Sequence, residues 1–211
     1  MTEIRIIDNV YLAKDGILRT CHMQKVHLRQ GELDGACAVY SMMMCLIIEK
    51  IVSRRIIKNP PQDLKRNTSN GRLVRSFLER QGLFVNGYVM KKLHDDLQSA
   101  YKKKVNSFYF NSKDTNLIEE IISRLDENHP VEIGFNYMVG TNGHAVVAIG
   151  YQDDRDKTKL FCIDPSYPMD ECQIWNNVLE IDKTSKAKYN CLNYKDSFKV
   201  DVDEILYFLK K

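Results

Sequence analysis

The longest apolar stretch of the chain runs from Ala36 to Ile48, 13 residues interrupted only by Ser41. It has no polar face, and a helix that is apolar all round is buried all round. It is also well short of the ~18 residues that crossing a bilayer requires. The pattern therefore predicts a central buried helix, entered from the turn at Asp34-Gly35 and closed where Glu49 and Lys50 bring charge.

The flanking patterns are more ordinary. Short strand-like pieces occupy 4–7, 10–12 and 26–28, and a polar loop covers 60–70. Helical spacing predicts a helix over 72–81, capped by Asn70 and stopped by Gly82, and a second over 90–104 with Leu93, Leu97 and Tyr101 on one face. Residues 105–110 alternate as a strand. Asp114 is placed to cap a helix carrying Leu117, Ile118, Ile121, Ile122 and Leu125, which ends before Pro130. From there the chain reads as strands over 131–137, 144–151, 159–163, 172–181 and 189–194, with Gly, Asn and Asp turns between them. A short helix over 203–209 closes it. Helices first and strands afterwards predict an α+β fold, with the buried helix packed on a C-terminal antiparallel sheet. With no linker or repeat, residues 1–211 form a single domain.

Composition narrows the class without changing the fold. The chain has 211 residues, of which 44% are hydrophobic and 28% charged, as in ordinary globular proteins. Lys plus Arg is 31 against 28 Asp plus Glu. No basic stripe stands out, so nucleic acid is not an expected partner. The first 16 residues carry acids and lack a signal peptide's apolar core, which makes a cytoplasmic protein, or a leaderless delivered effector, the expectation. The six cysteines are scattered with no Cys-x-x-Cys pair, so free thiols are expected rather than a disulfide framework. Cys21, His22 and His27 lack zinc-site spacing. No metal or cofactor is implied.

One of those cysteines has a distinctive position. Cys37 falls on the first turn of the buried helix, where unpaired backbone N–H groups and the positive end of the helix dipole stabilise a thiolate. Cys45, two turns deeper, reads as packing. A cysteine nucleophile needs a base, and the base needs an orienting group. His144 starts an apolar strand after the turn Gly140–Gly143, and Asp164 ends the next apolar strand 20 residues later. If those strands pair through a hairpin near 152–158, His144 and Asp164 share one end of the sheet, and the carboxylate fixes the imidazole tautomer. Gln30, seven residues before Cys37, can donate a side-chain amide to an oxyanion, beside the Cys37 backbone N–H.

These pieces resemble a known family. Gln30 and Cys37 before a buried helix, then Pro-Val-Glu-Ile-Gly (130–134), His-Ala-Val-Val-Ala-Ile-Gly-Tyr (144–151) and Ile-Asp-Pro-Ser (163–166), are similar to the papain-like cysteine peptidases. The resemblance is closest to the branch of double-glycine leader peptidases of bacteriocin exporters and their stand-alone relatives. It covers residues 30–49 and 128–168. It implies a papain-like fold, with Cys37 as nucleophile, His144 as general base, Asp164 as orienting acid and Gln30 as oxyanion donor. The expected activity is peptide hydrolysis through a Cys acyl-enzyme, with a polypeptide substrate, an optional regulatory or activating protein partner, and no membrane. A deamidase or transglutaminase would use the same groups, and a non-catalytic peptide-binding module would use the same cleft.

Overall fold

The computed structural model describes residues 3–31, 36–55, 68–73, 89–139, 143–184, 189–193 and 195–211. Among the described residues, three helices and ten strands are defined in chain order. They are β1 (Ile4–Ile6), β2 (Val10–Leu12), β3 (Leu18–Thr20), α1 (Cys37–Ile48), α2 (Met90–Tyr101), β4 (Val105–Asn111), α3 (Leu117–Asp126), β5 (Val131–Tyr137), β6 (Gly143–Asp153), β7 (Lys157–Ile163), β8 (Asn177–Asp182), β9 (Tyr189–Asn193) and β10 (Ser197–Lys210).

The six strands β5 to β10 pair antiparallel in a closed ring, β6-β5-β10-β9-β8-β7 and back to β6. Closure leaves none of the six with a fully open edge along its length. β1 adds to β6, and β4 adds to β10. Where β1 meets β6, a Cβ on Gly150 would stand 2.3 Å from the Arg5 carbonyl oxygen. Only glycine lets the two backbones come that close. β2 and β3 form a separate hairpin.

Helix α1 packs against β6 and β5. Of its residues only Cys37 and Tyr40 escape full burial, as the unbroken apolar run requires. Leu46, Ile47 and Ile48 are completely inaccessible, and side chains of that size stabilise the packed state by about 1.5–3 kcal/mol each. The one polar side chain inside the run, Ser41, donates its hydroxyl to the Ala145 carbonyl 3.1 Å away on β6. The helix that begins with Cys37 is thereby fixed to the strand that begins beside His144.

Several sequence expectations change in the folded chain. Residues 203–209 are not helical; they belong to β10, which β4 pairs over 204–210 and β5 pairs on the other side as far as Leu206. A short apolar run buried on both faces carries no helix-or-strand period, and the Ile, Tyr and Phe content of Ile205–Phe208 favours the pleated state. Residues 26–28 are buried but form no strand, and β2 pairs with β3. Residues 172–176 do not join a strand, which starts at Asn177. Helix α3 is capped by the Asn116 side chain, which accepts from the Ile118 N–H, while Asp114 caps the preceding turn by accepting from Asn111 N–H at 3.0 Å. Residues 69–73 are helical, with Thr68 accepting from Gly71 N–H and Asn70 accepting instead from the Tyr101 hydroxyl. The rest of the helix expected there, with Gly82, lies outside the described residues.

Candidate active site

The hairpin between β6 and β7 positions two of the expected groups. Its turn closes through Asp154 N–H to the Lys157 carbonyl, 2.8 Å, and its register sets Val147 opposite Ile163. Continuing antiparallel from that pair, the residue after β7 points back toward the start of β6. That residue is Asp164, and its Oδ1 lies 2.8 Å from Nε2 of His144. The thiol of Cys37, the first residue of α1, is close enough to the same imidazole to help raise its pKa. Nε2 is taken by the carboxylate, which leaves Nδ1 as the nitrogen for sulfur.

The imidazole is closely held. Phe135, directly across the β5–β6 ladder, meets it edge-on at 5.5 Å, and Tyr137 lies nearly parallel to it at 6.3 Å. Burial alone pulls the His144 pKa down, but the Asp164 charge and hydrogen bond, with a further contribution from Cys37, raise it to about 10. The carboxylate thus favours the charged ring, which in that form donates from both nitrogens.

Asp164 is completely inaccessible, and a buried carboxylate is tolerated only when its acceptor sites are filled. They are. Oδ1 also accepts from Ser166 N–H at 2.8 Å, and Oδ2 accepts from the Asn177 side-chain amide at 2.9 Å. The Asp164 backbone is clamped as well. Its N–H donates to Asn176 Oδ1 at 2.7 Å, and its carbonyl accepts from Asn176 Nδ2 at 3.0 Å and from the buried His27 Nε2 at 3.2 Å. The next carbonyl, that of Pro165, accepts from the backbone N–H of Gln30 at 2.9 Å. This bond ties the half-buried Gln30 to the Asp164-Pro165 turn. Residues 32–35, with the Asp34-Gly35 turn, and residues 140–142 of the turn before His144 lie outside the described residues.

Other sequence candidates fall elsewhere. All six cysteines are free, with Cys21 and Cys172 exposed. Burial pushes the thiols of Cys45 and Cys162 far above the ordinary range, and that of Cys191 to about 11. His94 Nδ1 pairs with the Ser107 hydroxyl at 2.9 Å. His129 pairs with Glu49 at 2.8 Å. Trp175 covers Phe161 of β7, with ring centroids 4.3 Å apart. Among the described residues no cluster of His, Cys, Asp and Glu could hold a metal, and no helix is long and apolar enough to cross a membrane.

Sequence reasoning missed four residues around the pair: Asn176, Asn177, His27 and Tyr137. The Asn pair falls inside the strand expected over 172–181, and nothing local says that the strand starts at Asn177, where the chain returns against the end of β7. It also missed Glu132, in the Pro-Val-Glu-Ile-Gly run. This side chain is inaccessible, and neither carboxyl oxygen has a hydrogen-bond partner among the described residues. Burial, with smaller effects from Cys37 and Glu204, pushes its pKa far up and favours the neutral acid.

The family model described as Peptidase_C39 like family matches residues 21–198. The match runs through 50–127 and past 170, segments that the motif resemblance leaves out. No curated protein matches the chain.

Proposed function

The chain belongs to the Peptidase_C39 like family, and on that premise we propose that it is a papain-like cysteine peptidase that cleaves a peptide bond through a Cys37 acyl-enzyme. The supporting observation is the position of His144, bonded at 2.8 Å to a buried carboxylate and near enough to the thiol on the first turn of α1 for that thiol to help raise its pKa.

In this reading the Cys37 thiolate attacks the scissile carbonyl carbon, and the carbonyl oxygen becomes an oxyanion. The Cys37 backbone N–H, at the first turn of the helix, and the Gln30 side-chain amide donate to it. As the C–N bond breaks, His144 gives its Nδ1 proton to the leaving amine, and a thioester remains on sulfur. Water then attacks that thioester while His144 takes its proton, so the acid carboxyl product leaves and the thiolate–imidazolium pair is restored. Asp164 holds the ring and its charge throughout. The substrate is a polypeptide chain.

A proteome-derived peptide library incubated with the wild-type protein and with Cys37→Ala tests the reading. New carboxyl termini that appear only with the wild type are the expected result. If Gln side chains become Glu or cross-linked, with no backbone cleavage, the acyl-enzyme serves deamidation or transglutamination. If the two proteins leave the library equally untouched, the peptidase reading is wrong.

A further inference from the structure

Asp164 is gripped by two consecutive asparagines, and they hold different parts of it. Asn176 bonds only to main-chain groups, the Asp164 N–H and carbonyl among them. Asn177, the first residue of β8, reaches the carboxylate. Adjacent side chains on an extended segment point to opposite sides, which is how neighbours in sequence take hold of one residue in two ways.

We propose that Asn177 is a positioning residue of the active site, holding the Asp164 carboxylate in the orientation that His144 requires. The proposal rests on the peptidase reading above. Asn177 is 1% exposed. Its Nδ2 donates to Asp164 Oδ2 at 2.9 Å, while its Oδ1 accepts from the Cys191 thiol at 3.4 Å. The direction of this chain is fixed by chemistry. An ionised carboxylate only accepts, so the amide nitrogen must face Asp164 and the amide oxygen is left for the S–H. Oδ1 of Asp164 is filled by His144 and Ser166; Asn177 fills Oδ2.

The residue type matters. A Lys or Arg at this place would also hold Oδ2, but its positive charge would compete with His144 for the carboxylate. A neutral amide fixes the oxygen and leaves the full negative charge to the imidazolium. Without this donor, Oδ2 is a buried anionic oxygen short of a partner. The carboxylate then rotates toward His144 with the wrong oxygen or binds a proton. Either response loosens the imidazolium.

The test compares wild type, Asn177→Leu and Asn177→Asp. Two readouts are used: the titration of the His144 ring nitrogens by NMR, and the iodoacetamide alkylation rate of Cys37 against pH, located by mass spectrometry. A hydrogen bond to a charged group is worth about tenfold or more in an equilibrium. Asn177→Leu should therefore move the His144 titration down by about one unit or more. The fast alkylation of Cys37 should move with it. In Asn177→Asp the buried pair of carboxyls shares one proton, and the protonated partner donates O–H to Asp164 Oδ2. This variant should keep the His144 titration near that of wild type through neutral pH, a rescue that a space-filling role does not predict. If Asn177→Leu does not fold, Asn177→Ala removes the same donor and should shift the titration in the same direction. An unchanged His144 titration in a folded Leu or Ala variant, or an equal shift in the Asp variant, overturns the proposal. If wild-type His144 titrates near its ordinary value of about 6.5 and Cys37 reacts no faster than Cys21 or Cys172, the peptidase reading fails together with it. The two failures are thus distinguished within one data set.

Discussion

His144 Nε2 and Asp164 Oδ1 lie 2.8 Å apart across 20 residues of chain, in a pair that is 9% and 0% exposed. This pair depends on the β6–β7 register. A one-residue slip would turn every side chain of β6 to the opposite face and take the imidazole away from both Asp164 and Cys37. The register is held by the short turn that closes through Asp154 N–H to the Lys157 carbonyl, and Ala145–Ile149 and Leu160–Ile163 are all buried around it.

The raised His144 pKa makes this pair a pH-dependent element of stability. Its folded pKa, about 10, lies above the ordinary value of about 6.5. The stabilisation is therefore fully present below pH ~6.5 and is lost as pH rises toward the folded value. Urea denaturation at pH 6, 8 and 10 should show the wild type losing stability over that window more steeply than His144→Gln. Parallel slopes for the two proteins would mean that the ring is not held as an imidazolium.

Substitutions should separate the four site residues. Cys37→Ala should abolish cleavage and leave stability within about 1 kcal/mol of wild type, because Cys37 sits at the half-exposed start of α1. His144→Ala should abolish cleavage too, but it also strips Asp164 of its cationic partner. Breaking a buried pair costs about 3–5 kcal/mol. Asp164→Asn should reduce the rate without abolishing it. Gln30→Ala should lower kcat by about 10²–10³ if it supplies one oxyanion donor. Rate assays paired with unfolding curves check all four, and equal, mild losses of rate would argue for a cleft that binds without turnover.

Cysteine reactivity gives a substrate-free check. At pH 6.5 Cys37, next to an imidazolium, should be alkylated faster than the exposed Cys21 and Cys172. Cys45, Cys162 and Cys191 should stay unmodified until the protein unfolds, since each is buried and its thiol is pushed to higher pKa. Mass-spectrometric time courses rank the six. A Cys37 no faster than Cys172 would remove the basis for a nucleophile.

How much of this was legible in the sequence follows from how local each signal is. Helix α1 was legible because an apolar run without a polar face has only one place to go. His144 and Asp164 were brought together by a short hairpin whose turn and strands are contiguous. The strand over 203–209 was not legible. Its neighbours β4 and β5 lie far off in sequence, and pairing on both edges overrides a short apolar run's own preference. Asn177 was hidden for a different reason. It lies only 13 residues from Asp164, but the strand was expected to begin at 172, so nothing marked 177 as the position where the chain returns to the end of β7.

Glu132 supplies the last prediction. It is inaccessible, without a hydrogen-bond partner among the described residues, and its pKa is far above the ordinary carboxyl value of about 4.3. The unfolded chain releases this proton above pH ~4.3 while the folded chain keeps it, so Glu132 subtracts from stability increasingly as pH rises. Near pH 4.5 the two states hold the proton almost equally, and the subtraction is small. Glu132→Gln keeps the size and cannot ionise, so its gain over wild type should be slight at pH 4.5 and exceed about 1 kcal/mol at pH 7. Glu132→Leu should gain more at both, because an apolar side chain of similar volume carries no unsatisfied polar atoms. Denaturation midpoints at the two pH values check the sign. If Glu132→Gln is destabilised at pH 7, the carboxyl is being held by a partner, and the picture of a neutral, unpaired acid beneath α1 is wrong.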